Sequence, residues 1–115
     1  MKNHTLGTFS VGATAGTATT AYSIQLNETD NNNRNNIGVF NVAGAATAGV
    51  ITVQGSVTGG TNNWEWVDLA TGLAPVTGTS TVGGSAAKTV ALMPFMRAVV
   101  TTTIATSAVT CYISQ

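Results

Sequence analysis

Apolar residues alternate with small or polar ones in several short stretches of this chain, and nowhere do they recur at the three-and-four spacing of an amphipathic helix. Tyr22, Ile24 and Leu26 share one parity within Thr19–Leu26, with Ala21, Ser23 and Gln25 on the other, which predicts a half-buried strand. Ile37–Val42 and Val50–Val57 predict two more strands, with Gly55 marking either a bulge or a close backbone approach. Thr58–Asn63 reads as a turn and Trp64–Leu69 as the return strand of a hairpin. Ala87–Leu92 follows. Phe95–Thr102 and Val109–Ile113, both rich in β-branched residues, predict a closing pair across a short link.

Between these runs lie polar or glycine-rich connections. Asn27–Asn36 is too polar and too turn-prone for a sheet and predicts an exposed loop. Ala70–Gly78 carries Pro75 and reads as a connection, with Thr79–Val82 a short edge strand before Gly83-Gly84. Short strands at spacings near ten residues, with no helices between them, predict an all-β domain of two packed antiparallel sheets, jelly-roll-like, over residues 19–115; an open barrel is the alternative. Residues 1–18 hold few large apolar side chains beyond Leu6, Phe9 and Val11, and predict an extended arm that orders by docking. The arm's surface is either its own sandwich or a neighbouring subunit, so Leu6, Phe9 and Val11 are candidate assembly contacts.

Composition narrows the functional classes. Four basic and four acidic side chains in 115 residues leave no net charge, so nothing electrostatic opposes the association of copies. The same balance offers no basic stripe for phosphates, which argues against nucleic acid as a partner. No run approaches a membrane span, and Met1–Gly7 lacks the apolar stretch of a secretory signal, which predicts a chain made without one. Asn3-His4-Thr5 and Asn27-Glu28-Thr29 match the glycosylation pattern, incidentally in so Asn- and Thr-rich a chain. Cys111 stands alone and is expected to pack as a small hydrophobe.

Chemistry finds few candidates. His4 sits near the start of the chain, in what reads as a mobile first turn, away from any oriented nucleophile. Glu65 and Asp68, three apart on the predicted strand, point to opposite faces and cannot flank a glycosidic bond. Glu28 and Asp30 share a solvated loop. Asp30–Asn33 begins like a calcium loop, but Asn35 and Asn41 occupy the positions of its glycine and bidentate glutamate. No phosphate-cradling glycine motif is present, and no catalytic residue, metal or cofactor is expected. Trp64 and Trp66, on one face of the predicted return strand, make either two core residues or a sugar-stacking platform. Arg97, between Phe95 and Val99, requires a partner: Asp68 or Glu65 as a structural ion pair, or a carbonyl.

The succession Val53-Gln54-Gly55-Ser56, Trp64–Leu69, Phe95–Val100 and Val109–Ile113 resembles small β-sandwich virion proteins of tailed bacteriophages, over roughly residues 37–115. The resemblance implies a protein that decorates or cements the icosahedral shell, as a homotrimer bound to the major capsid protein on the virion surface. It brings no catalytic residues. Two other functions fit the same residues: a carbohydrate-binding module using Trp64 and Trp66, with the loop 27–36 at its rim, and a tail or baseplate component.

Overall fold

The computed structural model describes residues 3–26, 36–44, 46, 48–73 and 88–115. Eight strands run in order: β1 (Asn3–Phe9), β2 (Tyr22–Ser23), β3 (Ile37–Gly44), β4 (Ala48–Ser56), β5 (Val67–Leu73), β6 (Lys88–Ala91), β7 (Phe95–Ala105) and β8 (Val109–Ser114). They form two antiparallel four-stranded sheets, ordered β1-β8-β3-β6 and β2-β7-β4-β5. The all-β sandwich expected from the alternation is therefore the fold. The first strand pairs with the last, the second with the seventh, the third with the sixth and the fourth with the fifth. One long antiparallel ribbon is thus folded over on itself, and β3–β8 and β4–β7 pairing closes each sheet.

The core lies between the sheets because each central strand turns one parity inward. Phe40 and Val42 on β3 and Val109, Cys111 and Ile113 on β8 meet Ile51 and Val53 on β4 and Met96, Ala98 and Val100 on β7. Removing such side chains from water is the main force holding the two sheets together. Burial pushes the Cys111 thiol up to about 12. Near neutral pH its reactive thiolate is therefore negligibly populated. A disulfide-exchange reagent should leave native protein unlabelled and react with Cys111 only after denaturation; labelling at the rate of a free thiol would contradict this packing.

Three expectations are corrected. The first concerns the arm expected at residues 1–18, of which the described residues 3–18 are integrated into the sandwich. Asn3–Phe9 pairs along β8, and a bulge between Thr5 and Gly7 rephases the strand so that Leu6 and Phe9, three apart, both face the core. Leu6 and Phe9 are core residues of their own chain rather than surface contacts, and Val11 alone of the three stays exposed. Beyond β1, Ser10–Ala13 and Thr14–Thr17 form two successive turns, with Gly12 and Gly16 at positive φ as the third residue of each. Their backbones line the edge of β7: Gly12 donates to the Ile104 carbonyl, Gly16 to Val100 and Thr19 to Ala98. A tract of Gly, Ala and Thr has little apolar surface to bury, and it docks here through main-chain hydrogen bonds.

The second correction concerns the last two strands, expected to pair with each other. They lie in opposite sheets. Their inward rows, ending at Ile104 and beginning again at Val109, both belong to the interior, so the Thr106–Ala108 link crosses between layers, with Thr106 at φ 84°. The third is the Thr19–Leu26 strand, of which only Tyr22–Ser23 is in register with β7. Its inward row is as expected, with Ile24 buried and Tyr22 and Leu26 packed against the core. Gly55 marks a close approach, since a Cβ there would overlap Met93 and Leu69; the bulges in the β4–β5 ladder fall elsewhere, around Val53. The loop at 27–35 with its calcium-like run, and the edge strand at 79–82, lie outside the described residues.

Candidate functional site

The connection from β4 to β5 is the most elaborated feature at one end of the second sheet. Buried Ser56 ends β4, and its Oγ accepts from the backbone N–H of Thr58 and of Gly59, at 3.1 and 2.9 Å. Gly59 takes a left-handed φ of 67°, and its missing side chain admits the Phe95 ring from β7. Asn63–Glu65 then closes a 3-10 turn. Thr58 Oγ1 donates to Glu65 Oε1 at 2.8 Å, and the Asn62 N–H donates to Oε2 at 3.0 Å. These bonds hold the Glu65 carboxyl pKa below its ordinary value, Thr58 contributing most and Asn62 next.

A carboxylate depressed in the folded state contributes stability above its unfolded value and loses it as pH falls through the folded one. Acid should therefore loosen this turn below the usual carboxylate range, with no change around neutrality; tryptophan emission followed through an acid titration checks it. Gly60 is the second lever. A Cβ at Gly60 would overlap the Glu65 carboxylate, which can swing away only by giving up Thr58 and Asn62. Gly60→Ala should lower the melting midpoint by a few degrees and abolish the acid-dependent change. A variant with an unchanged acid titration would show that Glu65 is not what holds the turn.

The same turn separates the two tryptophans. Trp66 is 6% exposed, donates its indole N–H to the Gly60 carbonyl at 2.8 Å and carries the Arg97 guanidinium 4.2 Å from its ring centroid. Trp64 is 81% exposed. The expected strand Trp64–Leu69 starts only at Val67, so the indoles do not share a strand face and no two-ring platform exists. One of the two, Trp66, takes the structural role. Val57 and Val67, either side of the turn, are also exposed, among the exposed polar residues Thr58, Thr61, Asn62 and Asn63.

Arg97 faces outward on β7 opposite Gln54, which in turn lies opposite Asp68 on β5. Arg97 Nε donates to Gln54 Oε1 at 2.8 Å, and Gln54 Nε2 donates to Asp68 Oδ1 at 2.8 Å. The expected Arg97–Asp68 ion pair is thus replaced by a relay through an amide, because the strand order puts β4 between the two charges. Glu65, the other expected partner, is engaged by its own turn. Gln54 escaped the sequence reading, since nothing in a strand pattern announces which outward polar residue falls between two charges. The Glu65 turn did leave a signal: Asn62 and Glu65 have the spacing of a capping box.

Among the described residues the remaining polar side chains form no reactive constellation. His4 is held in β1 rather than in a mobile turn, its Nδ1 3.1 Å from the Tyr22 hydroxyl and its Nε2 3.3 Å from Gln115 Oε1. Among the described residues no three His, Cys, Asp or Glu side chains cluster as a metal site. A cleft of about 270 Å³ opens between Leu6–Phe9 and Thr17–Thr20, where β1 of one sheet faces the segment lining β7 of the other. What fold and site define is an antiparallel β-sandwich with a braced turn that exposes one indole and a three-strand polar relay. Comparison of the chain with protein-family models, with curated proteins and with solved structures finds no match.

Proposed function

We propose that this chain is a structural virion protein of a tailed bacteriophage, a decoration or cement protein that adheres to the major capsid protein and stabilises the icosahedral shell. The observation that carries this reading is a sandwich, eight strands among the described residues, in a chain with only four basic and four acidic side chains, a surface suited to lying against protein. The pairing of first strand with last across two packed antiparallel sheets supports a jelly-roll reading, an architecture used by viral capsid proteins. The exposed Trp64, Val57 and Val67 offer an apolar contact at one end. Copies act together, as a homotrimer, so that weak individual contacts sum on a symmetric shell. In this reading the protein performs no reaction, and its place is the outer surface of the head; in a tail or baseplate the same physics would serve.

The test compares particles lacking the protein with particles to which it has been restored, by the temperature at which they rupture. Restoration is expected to raise that temperature, and equal rupture counts against cementing. One observation favours a second reading, a carbohydrate-binding module: the exposure of Trp64, since jelly rolls also serve as lectins. With Trp66 buried, that site rests on a single indole. Oligosaccharide titration should then shift the Trp64 share of the emission and leave Trp64→Ala silent.

A further inference from the structure

Among the described residues Arg97 is a cation with no carboxylate against it. Its guanidinium lies over the Trp66 ring, its Nε is tied to Gln54, and Gln54 is tied to Asp68, so the plane of the group is fixed from two directions. A guanidinium has five N–H donors, and this one spends a single donor within the described residues. The remaining four sit on the two Nη atoms, the edge that matches a carboxylate in a two-bond fork. Half-buried Phe95 and Val99 flank Arg97 on its strand face. Burial lowers the pKa of the guanidinium, which marks a charge partly deprived of water. Partial desolvation with no ionic partner among the described residues is a cost that a bound anion would relieve.

We propose that the Nη edge of Arg97 is a receptor for one carboxylate, supplied by an Asp or Glu side chain of the protein to which this chain attaches. A single guanidinium balances one negative charge and matches a planar anion, which favours a carboxylate over a phosphate. Phe95 and Val99 favour a peptide over an acidic sugar: sugar hydroxyls need polar partners beside the charge, and Gln54 and Asp68 already engage each other. A carboxylate reaching this row gains from the apolar flanks, where charge pairs attract more strongly than in open water. In an otherwise nearly uncharged face, one such pair sets the register of the contact more than its strength. The owner of the carboxylate rests on the assembly reading; the receptor does not.

Nuclear magnetic resonance titration of the intact protein tests it, observing the Arg97 Nε–H and Trp66 Nε1–H signals. Sodium acetate is expected to shift both saturably, beyond sodium chloride at equal ionic strength. The peptide acetyl-Val-Glu-Val-amide should bind about tenfold more tightly than acetate, and its glutamine counterpart should not bind. Arg97→Lys keeps the charge and loses the fork. Gln54→Leu keeps Arg97 and loses its positioning, and each should weaken the peptide about tenfold. Equal shifts from acetate and chloride, or unchanged binding by Arg97→Lys, would overturn the receptor. Tighter binding of glucuronate than of the peptide would overturn the protein carboxylate. A particle-rupture failure with a positive titration would remove only the shell as owner.

Discussion

Replacing Phe40 by alanine is expected to remove about 4 kcal/mol of stability and to lower the melting midpoint by roughly 15 °C. Phe40 is the largest of the fully buried side chains and sits on β3, with β8 on one side and β6 on the other. Its ring fills the space between the sheets, and the hydrogen-bonded ladders on both flanks keep the backbone from collapsing into the gap. A loss of this size is a large part of the 5–15 kcal/mol that a domain typically possesses. Thermal unfolding followed by circular dichroism measures it. A drop of only a degree or two would mean that the ring is not packed between the layers.

Deleting residues 1–9 is expected to have a still larger effect, leaving no cooperatively folded population at room temperature. The deletion removes Leu6 and Phe9 from the core, each worth about 1.5–3 kcal/mol of burial. It also removes the whole ladder that β1 makes with β8 and leaves β8 as an open edge. Phe9→Ala alone should cost about 3 kcal/mol or more. An extended arm would behave in the opposite way, its loss leaving the melting midpoint where it was. Equilibrium urea unfolding of the two variants beside the full chain therefore separates an integral first strand from an appendage.

The difference between those two pictures marks where the chain is legible. Regular alternation carries its own answer: the Tyr22-Ile24-Leu26 row can be read with the correct face from period two, whereas Ile37–Val42 and Phe95–Thr102, apolar on both parities, announce a strand without its inward face. Leu6 and Phe9 hide a strand because the bulge at Leu6 breaks that period, and a bulge leaves no mark in composition. Strand partners are hidden for a different reason. A short link between two good strands suggests a hairpin, yet Thr106–Ala108 crosses between sheets, since Ile104 and Val109 both belong to the interior. Local sequence carries the period of each strand; which strand lies beside it is decided by how the ribbon folds over.

The polar relay was half legible for the same cause. Arg97 could be seen to need support, and Asp68 to be near in the hairpin region, but only the order β7-β4-β5 places the Gln54 amide between them. Trp64 and Trp66 look like a pair in the sequence because an extended strand sets alternate residues on one face. The Asn62–Glu65 capping spacing competes with that reading, and the turn it makes puts one indole outside and the other beneath Arg97.

The central claim is that this nearly uncharged sandwich exists to lie against other protein. Its most direct test is the saturation of emptied phage heads, made without this protein, by the purified chain. Copies are expected to bind to a fixed ceiling set by the symmetry of the shell, and the bound copies to stay on when the heads are washed. Heads that retain none of it at any concentration, while the chain remains a folded monomer in solution, would contradict the account.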